Sequence, residues 1–176
     1  MTAVVQAYRF ALDPTTDQHE ALASHCGGQR FVFNWGLARV KANLSQREAE
    51  RSYGLPDHEL TPAISWNAYS LRRWFNQVKE DIAPWWGENS KEAYSAGLAN
   101  LQTALKNWSD SRTGKRKGRK LAFPRFKSKR RGLSCTFTTG VIRVETDRRH
   151  VTLPRLGTIR THESARKLAR HLERGT

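Results

Sequence analysis

The spacing of apolar residues changes once along the chain, and this change constrains the fold more than any other feature of the sequence. Up to about residue 110 the apolar side chains recur at helical spacing, whereas from Leu121 they alternate within short segments. A period of 3.6 residues is typical of helices that bury one face, and a period of 2 is typical of half-buried strands. The sequence therefore predicts a helical region followed by a small sheet.

Four helices are predicted in the first part of the chain. Thr15 and Gln18 have capping-box spacing and predict the first helix start, while Gly27-Gly28 predicts its end. Each of the next three helices carries an apolar stripe. The stripes are Phe33, Leu37, Val40 and Leu44; then Leu71, Trp74, Phe75 and Val78; then Tyr94, Leu98, Leu101, Leu105 and Trp108.

Two boundaries between the later helices are also marked. Ala83-Pro84 predicts an interruption after the third helix, because proline cannot continue a helix. Asn89 with Glu92 repeats the capping-box spacing and predicts the start of the fourth helix.

The two helices around Gly27-Gly28 resemble a helix-turn-helix, which would place the second helix in a DNA major groove. That second helix begins with Arg30 and continues through Phe31, Val32 and Phe33, which are residue types of a protein core. Packing is therefore favoured over base readout for this helix.

Strands are predicted at both ends of the chain. Residues 3–12 alternate and predict a first strand, and a lone strand needs a partner. The later strands are predicted at 133–139, 141–145, 149–154 and 156–161, followed by a helix over 162–176. The prediction is an α+β fold: a small β-barrel-like sheet closed by the first strand, with a helical lobe inserted.

The positive charge is confined to the last part of the chain. The net charge is +15, yet residues 1–110 hold 11 Lys and Arg against 12 Asp and Glu, whereas residues 111–176 hold 20 against 4. Such a field favours a polyanion, and nucleic acid comes before an acidic membrane because no apolar span or signal-peptide order is visible. We predict a cytoplasmic nucleic-acid-binding protein without a membrane partner.

The charge is densest in residues 115–131, which we call the basic segment. It contains ten Lys and Arg and no acid. Phe123 and Phe126 flank a Pro-Arg pair, and each can stack on a base or anchor the segment. The predicted RNA or DNA phosphate contacts are Lys115, Arg116, Lys117, Arg119, Lys120, Arg125, Lys127, Lys129, Arg130 and Arg131.

The sequence contains few residues in patterns that would support catalysis or metal binding. Cys26 and Cys135 lie 109 positions apart without further ligands at zinc spacing, so reduced thiols and no metal site are predicted. The basic half offers few carboxylates for magnesium, and Glu145 and Asp147 lie at a predicted hairpin end, where turn chemistry explains Asp147. No catalytic residue is predicted.

Several motifs together resemble one known family. YRFALDPTTDQ, GGQRFVFNWGL, SKEAYSAGLANLQTALKNW, FPRFKSKRRG with CTFTTG, and VTLPRLGTIRT occur in order and resemble the N-terminal part of the TnpB/OrfB proteins of bacterial insertion sequences. The resemblance implies an RNA-guided, magnesium-dependent DNA endonuclease related to type V CRISPR effectors. Its fold would be a wedge-type β-barrel interrupted by a helical recognition lobe and followed by a RuvC-like nuclease with a zinc ribbon.

The resemblance also implies a domain layout. Residues 1–12 would be the first wedge strand, 13–110 the recognition lobe with a helix-turn-helix-like start, 111–132 a basic connecting loop, and 133–176 the remaining wedge strands with a terminal basic helix. The RuvC-like nuclease and the zinc ribbon would be absent from these residues. Magnesium and zinc are therefore expected only in that further part, and no cofactor is expected here.

Three positions are implied as contacts to a short motif beside the DNA target: Lys91, Ser95 and Thr138. Relatives often carry Gln at the position of Ser95, which changes the expected motif preference. The segment around Ser65, Trp66 and Asn67 is expected nearby.

The predicted function is to hold a guide RNA and contact target-adjacent double-stranded DNA, without cleavage by these 176 residues. Three alternatives remain open. The first is a guide-free helix-turn-helix DNA-binding protein of a transposon. The second is a nuclease or transposase that depends on acids such as Glu145 or Asp147. The third is an unstable gene remnant.

Overall fold

A computed structural model describes residues 6–173 of the chain, apart from the side chain of Arg131. It is an α+β protein whose described residues divide into two compact units. Residues 6–24 and 137–173 form a sheet unit, and residues 25–136 form a helical unit. The assignment of recognition-lobe and wedge domains to 13–110 and 133–176 stays a prediction.

Three long helices build the helical unit and share one core. They are α1 (Thr16–Ser52), which begins in the sheet unit, α2 (Ala68–Ile82) and α3 (Lys91–Arg112). A 3₁₀ turn at Pro84–Glu88 joins α2 to α3, which confirms the predicted interruption at Ala83-Pro84. The core consists of Val32, Phe33, Leu37 and Val40 from α1, Leu71 and Phe75 from α2, and Tyr94, Leu98, Leu101 and Leu105 from α3.

The predicted break at Gly27-Gly28 is wrong, because α1 continues through both glycines. Glycine costs about 1 kcal/mol in a helix interior, but tertiary packing overrides that preference here. A Cβ on Gly28 would lie 3.2 Å from Cε1 of Tyr94, so the glycine allows the α3 tyrosine to approach the α1 backbone. Close packing of α3 on α1 thus offsets the intrinsic cost.

The first helix start is confirmed in detail. The Thr15 amide donates to Oε1 of Gln18 at 3.1 Å, and the Gln18 amide donates to Oγ1 of Thr15 at 3.3 Å. The predicted start of α3 is one residue off, because Ser90 caps the helix by accepting from the Glu92 amide. Asn89 is buried, and its amide group donates to the Tyr94 hydroxyl instead.

The sheet unit holds four short antiparallel strands and one helix. The strands are β1 (Leu12–Asp13), β2 (Arg143–Val144), β3 (His150–Leu153) and β4 (Gly157–Thr161), in the spatial order β1-β4-β3-β2. Helix α4 (Arg166–Glu173) follows. β1 overlaps the predicted opening strand only at Leu12, and its pairing with β4 agrees with the prediction that a late strand is the partner.

Two expectations about the sheet need correction. The described strands form an open sheet, with β1 and β2 at its edges, and they do not close into a barrel. Residues 133–139 contain no strand, and residues 6–11 are not strand either, whereas residues 3–5 lie outside the described residues. The alternation of apolar and polar residues predicted strands at these positions. A strand also needs a neighbouring strand with which to form hydrogen bonds and side-chain pairs, and a local pattern does not show whether one is present.

Candidate nucleic-acid interface

The basic segment follows α3 in the helical unit and exposes most of its cations. Lys127 is half-buried, and the other described cations of the segment are exposed: Lys115, Arg116, Lys117, Arg119, Lys120, Arg125, Lys129 and Arg130. None of the ion pairs found among the described residues uses one of them. The predicted contact Arg131 lies in the 3₁₀ turn Lys129–Arg131, and its side chain lies outside the described part. The segment therefore presents an uncompensated positive surface.

Two contacts attach the segment to the helical core. The Asn34 amide group donates to the Lys127 carbonyl at 2.9 Å, and Asn34 Oδ1 accepts from the Lys127 amide at 2.8 Å. Lys127 Nζ lies 4.3 Å from the ring centroid of Phe33. The side chain of Asn34 thus clamps both backbone polar groups of one residue of the segment.

The two predicted aromatic contacts are in different environments. Phe123 packs edge-on against Trp108, with ring centroids 4.9 Å apart, and belongs to the rim of the core. Phe126 is 49% exposed. Phe123 is therefore engaged within the protein, whereas the ring of Phe126 is accessible, and stacking of a base on it stays a prediction.

A pocket of about 290 Å³ lies between α1 and the basic segment; we call it the Arg30 pocket. Its lining includes Cys26, Arg30, Arg125, Lys127, Ser128 and Leu133. Nη1 of Arg30 is buried and has no hydrogen-bond partner among the described residues. Burial lowers the pKa of Lys127. Arg30 is not among the contacts predicted from the sequence, because its pairing with a segment about 95 residues later has no local signature.

The two cysteines lie together beside this pocket. Both are free thiols, and they are hydrogen-bonded to each other. That hydrogen bond lowers the pKa of Cys26 to about 7, although burial opposes the shift, and the charge of Arg30 lowers it further. The same hydrogen bond raises the pKa of Cys135. The Thr136 amide donates to Oε1 of Gln29 at 3.0 Å and holds the adjacent backbone against α1.

A second pocket, the α2–α3 groove, contains two of the three residues expected to read target-adjacent DNA. It measures about 440 Å³, and its lining includes Arg72, Asn76, Lys79, Trp86, Lys91 and Ser95. Lys79 Nζ lies 3.3 Å from the ring centroid of Trp86. The structure brings Lys91 and Ser95 to one groove, while Thr138 is an exposed residue of the sheet unit. Their contact with DNA stays a prediction.

Trp66 and Asn67, expected near the motif contacts, have structural contacts in the helical unit. The Trp66 ring lies 6.2 Å from that of Trp108, and Asn67 caps α2 by accepting from the Ser70 amide at 2.8 Å. A shallow pocket of about 250 Å³ lies beside both residues.

Glu145 and Asp147, the acids that a nuclease alternative would use, hold the β2–β3 hairpin. Asp147 accepts from the amides of Arg149 at 2.9 Å and His150 at 3.1 Å. Glu145 accepts from the Thr152 hydroxyl and pairs with Arg143 at 2.7 Å. These hydrogen bonds lower the pKa of both carboxyl groups. Within residues 6–173, no group of three or more His, Cys, Asp or Glu converges as metal ligands would.

Comparison with known proteins supplies the family. Residues 1–49 match a family described as a helix-turn-helix domain. Two Mycobacterium tuberculosis proteins, each named "Putative RNA-guided DNA endonuclease", are 42% identical over 97% of this chain and 37% of their own length. The Escherichia coli K12 protein InsQ, which bears the same name, is 29% identical over 91% of this chain and 34% of its own length.

The chain belongs to the TnpB/OrfB family. It matches the N-terminal part of its TnpB/OrfB relatives and spans about 37% of the two M. tuberculosis proteins. The matching family is described as helix-turn-helix, yet residues 16–52 of this TnpB/OrfB chain form one helix without an intervening turn.

In the part of the TnpB/OrfB chain that the structure describes, no helix combines the length and apolarity that a membrane span needs. The longest helix, α1, carries charged residues throughout its sequence.

Proposed function

We propose that this chain is the nucleic-acid-binding part of a TnpB-like protein, which holds a guide RNA and contacts double-stranded DNA beside the target. The observation that carries the proposal is the basic segment: exposed cations without acidic partners, anchored to a folded core by Asn34. Neighbouring cations repel one another when no acidic side chain lies between them, and a bound polyanion relieves that repulsion. The names of the relatives support an RNA guide and a DNA target.

Two surfaces would divide the work. The basic segment would neutralise phosphates and supply most of the affinity, because phosphate contacts carry no sequence information. The α2–α3 groove would contribute selectivity through Lys91 and Ser95, with Thr138 as a further contact. Ser95 is half-buried in the groove, where its hydroxyl can donate to or accept from a base edge.

The sheet unit would serve as the wedge. β1 and β2 are the edge strands of this sheet. Further strands would have to pair with these two edges for the sheet to close into a wedge-type barrel. We propose that DNA cleavage is not performed by residues 1–176, because Glu145 and Asp147 are engaged in hairpin hydrogen bonds. Magnesium and zinc would act elsewhere in such a protein, and a bacterial cytoplasm with its nucleoid would be the site of action.

The first experiment identifies the ligand. The chain is purified at moderate salt and the nucleic acid that comes with it is sequenced. One abundant RNA encoded near the gene is the expected result. Duplex DNA of defined sequence without RNA would overturn the guide-binding proposal in favour of a guide-free DNA-binding protein, the candidate that the helix-turn-helix family match favours.

The second experiment measures the salt dependence of binding to that RNA. If about six to eight phosphates are neutralised, log K falls with log salt at a slope of roughly −5 to −7. Lys129→Gln/Arg130→Gln should make this slope shallower by about 2. The matched control is Lys41→Gln/Arg51→Gln, which removes two exposed α1 cations. Equal slopes for the two double variants would remove the basic segment from the interface.

Cleavage is tested separately. Target DNA is incubated with the RNA-loaded chain in the presence and absence of magnesium. No magnesium-dependent product is expected. A product that is lost in Glu145→Gln or Asp147→Asn would replace the binding proposal by the nuclease alternative.

A further inference from the structure

We propose that the Arg30 pocket binds one phosphate group of a polynucleotide backbone, and that Arg30 is the residue that pairs with it. This inference rests on the proposed function and deepens it, because it names a specific site and a specific chemical group. Arg30 lies on α1, outside the basic segment from which nucleic-acid contacts are predicted.

The buried atom of Arg30 points to a missing partner. Nη1 is inaccessible to solvent and donates no hydrogen bond to any described residue. A buried charged donor without an acceptor is costly, and native structures supply one in most cases. The neighbouring Cys26 thiol does not satisfy it, because Nη1 remains without a hydrogen bond. Because Nη1 is closed to solvent, a ligand oxygen reaches this N–H only when the guanidinium group turns towards the pocket that Arg30 lines.

The charges around the pocket select an anion. Arg30, Arg125 and Lys127 line it, and among the described residues no Asp or Glu does so; the one acidic group on the lining is the Cys26 thiol, whose pKa is about 7. Burial lowers the pKa of Lys127, so an anion beside it would stabilise its charged form. Three cations around one small pocket repel one another unless a negative group lies among them. The pocket is therefore electrostatically complementary to an anion.

The remaining lining favours a phosphodiester over a small carboxylate. Ser128 and Ser134 offer hydroxyl donors, and the guanidinium fork matches the oxygen spacing of phosphate. Phe126 and Leu133 add an apolar wall, which suits the sugar and base attached to a backbone phosphate. At about 290 Å³ the pocket is larger than a single phosphate requires, so it leaves room for the adjoining sugar.

The pocket is held in shape on both sides of the segment. Asn34 fixes the backbone of Lys127 through two hydrogen bonds of 2.8 and 2.9 Å. Gln29, one residue before Arg30, fixes Thr136 at 3.0 Å. A site that is preformed loses less conformational entropy when a ligand binds.

The test compares Arg30→Gln, Arg30→Lys and the control Lys41→Gln, which removes one exposed charge from the same helix. Binding of single-stranded RNA and of duplex DNA is measured against salt. If the pocket holds a phosphate, Arg30→Gln makes the slope shallower by about 0.7 for a single strand or about 0.9 for a duplex, relative to Lys41→Gln. Arg30→Lys keeps the slope but weakens binding, because the bidentate fork is lost. If Arg30→Gln changes the slope of log K against log salt for only one of the two polymers, that polymer supplies the phosphate.

Cys26 provides an independent readout, because its thiol lines the same pocket. Inorganic phosphate should slow iodoacetamide alkylation of Cys26 in the wild-type chain and in Lys41→Gln, but not in Arg30→Gln. Peptide mapping separates Cys26 from Cys135. Circular dichroism confirms that each variant is folded before its data are used, and Arg30→Lys provides a charge-conserving replacement if Arg30→Gln does not fold.

The outcomes separate this inference from the proposed function. If the wild-type chain binds nucleic acid but Arg30→Gln has the slope and the phosphate protection of Lys41→Gln, the pocket assignment is overturned and the proposed function stands. If no nucleic acid binds while phosphate still protects Cys26 through Arg30, the pocket is a site for small anions, and both the backbone assignment and the proposed function fail.

Discussion

Asn34 binds both backbone polar groups of Lys127, donating to its carbonyl at 2.9 Å and accepting from its amide at 2.8 Å. The two residues are 93 positions apart, and the contact makes α1 the support of the basic segment. An asparagine side chain can form this pair because its amide carries a donor and an acceptor side by side, as a backbone peptide does.

Replacing Asn34 by Asp should destabilise the helical unit and weaken nucleic-acid binding. Aspartate retains the acceptor for the Lys127 amide but places a second acceptor against the Lys127 carbonyl. The expected loss is about 1–3 kcal/mol in the free energy of unfolding, measured by urea titration. Asn100→Asp, at an exposed position of α3, is the matched control. Equal stability of the two variants would contradict a structural role for the clamp.

The close approach of α1 and α3 predicts opposite effects for two glycine substitutions. A Cβ on Gly97 would lie 2.6 Å from the Gln29 carbonyl oxygen and 2.4 Å from Val32 Cγ1, so Gly97→Ala should cost about 1–3 kcal/mol or more. A Cβ on Gly27 meets no atom within 4 Å, so Gly27→Ala should stabilise α1 by up to about 1 kcal/mol. Thermal midpoints of the two variants test this; a Gly97→Ala protein as stable as the wild type would contradict the packing.

Cys26 should react with iodoacetamide as a thiol of unusually low pKa. Its pKa is lowered to about 7 by the hydrogen bond from Cys135, so the alkylation rate should rise with pH around a midpoint near 7. Cys135→Ala removes the donor and should move the midpoint towards or above the ordinary value of 9.0. Cys135→Ser keeps a donor and should retain a lowered midpoint. A wild-type midpoint near 9 would show that the two thiols do not interact.

Asp147 should contribute stability that depends on pH. Hydrogen bonds from the Arg149 amide and from the His150 imidazole lower its pKa below the ordinary value of 3.8, so its folded form favours the charged carboxylate. The contribution is therefore present above the unfolded pKa and is lost as pH falls through the folded pKa. Asp147→Asn should lower the thermal midpoint at pH 7 and have a smaller effect near pH 3. The same decrease at both pH values would assign the effect to something other than the charge.

Local pattern predicted much of the architecture of both units. The capping pair Thr15 and Gln18, the apolar stripes of α2 and α3 and the alternation around β3 and β4 depend on residues within a few positions of one another. Interactions between residues a few positions apart determine directly whether a segment forms a helix or a strand. The order and spacing of the family motifs also indicated the TnpB/OrfB family, which the relatives confirm.

The same local reasoning failed where a distant residue decides the conformation. Gly27-Gly28 has the pattern of a helix end, but α1 continues because α3 packs closely on it through Tyr94 and Gly97. Residues 133–139 alternate as a strand would, but Thr136 bonds to Gln29 of α1 instead of to a neighbouring strand. In both places a long-range contact outweighs a local preference.

Periodicity, charge distribution and motif order can be seen in the chain alone, and they establish the class of elements, the confinement of positive charge to residues 111–176 and the family. Only the tertiary structure brought Arg30 to the basic segment, paired Cys26 with Cys135 and clamped Lys127 with Asn34. The physical reason is separation along the chain. Each of these pairs joins residues roughly 90 to 110 positions apart, and their contact depends on how the helices pack rather than on any periodicity that neighbouring residues share.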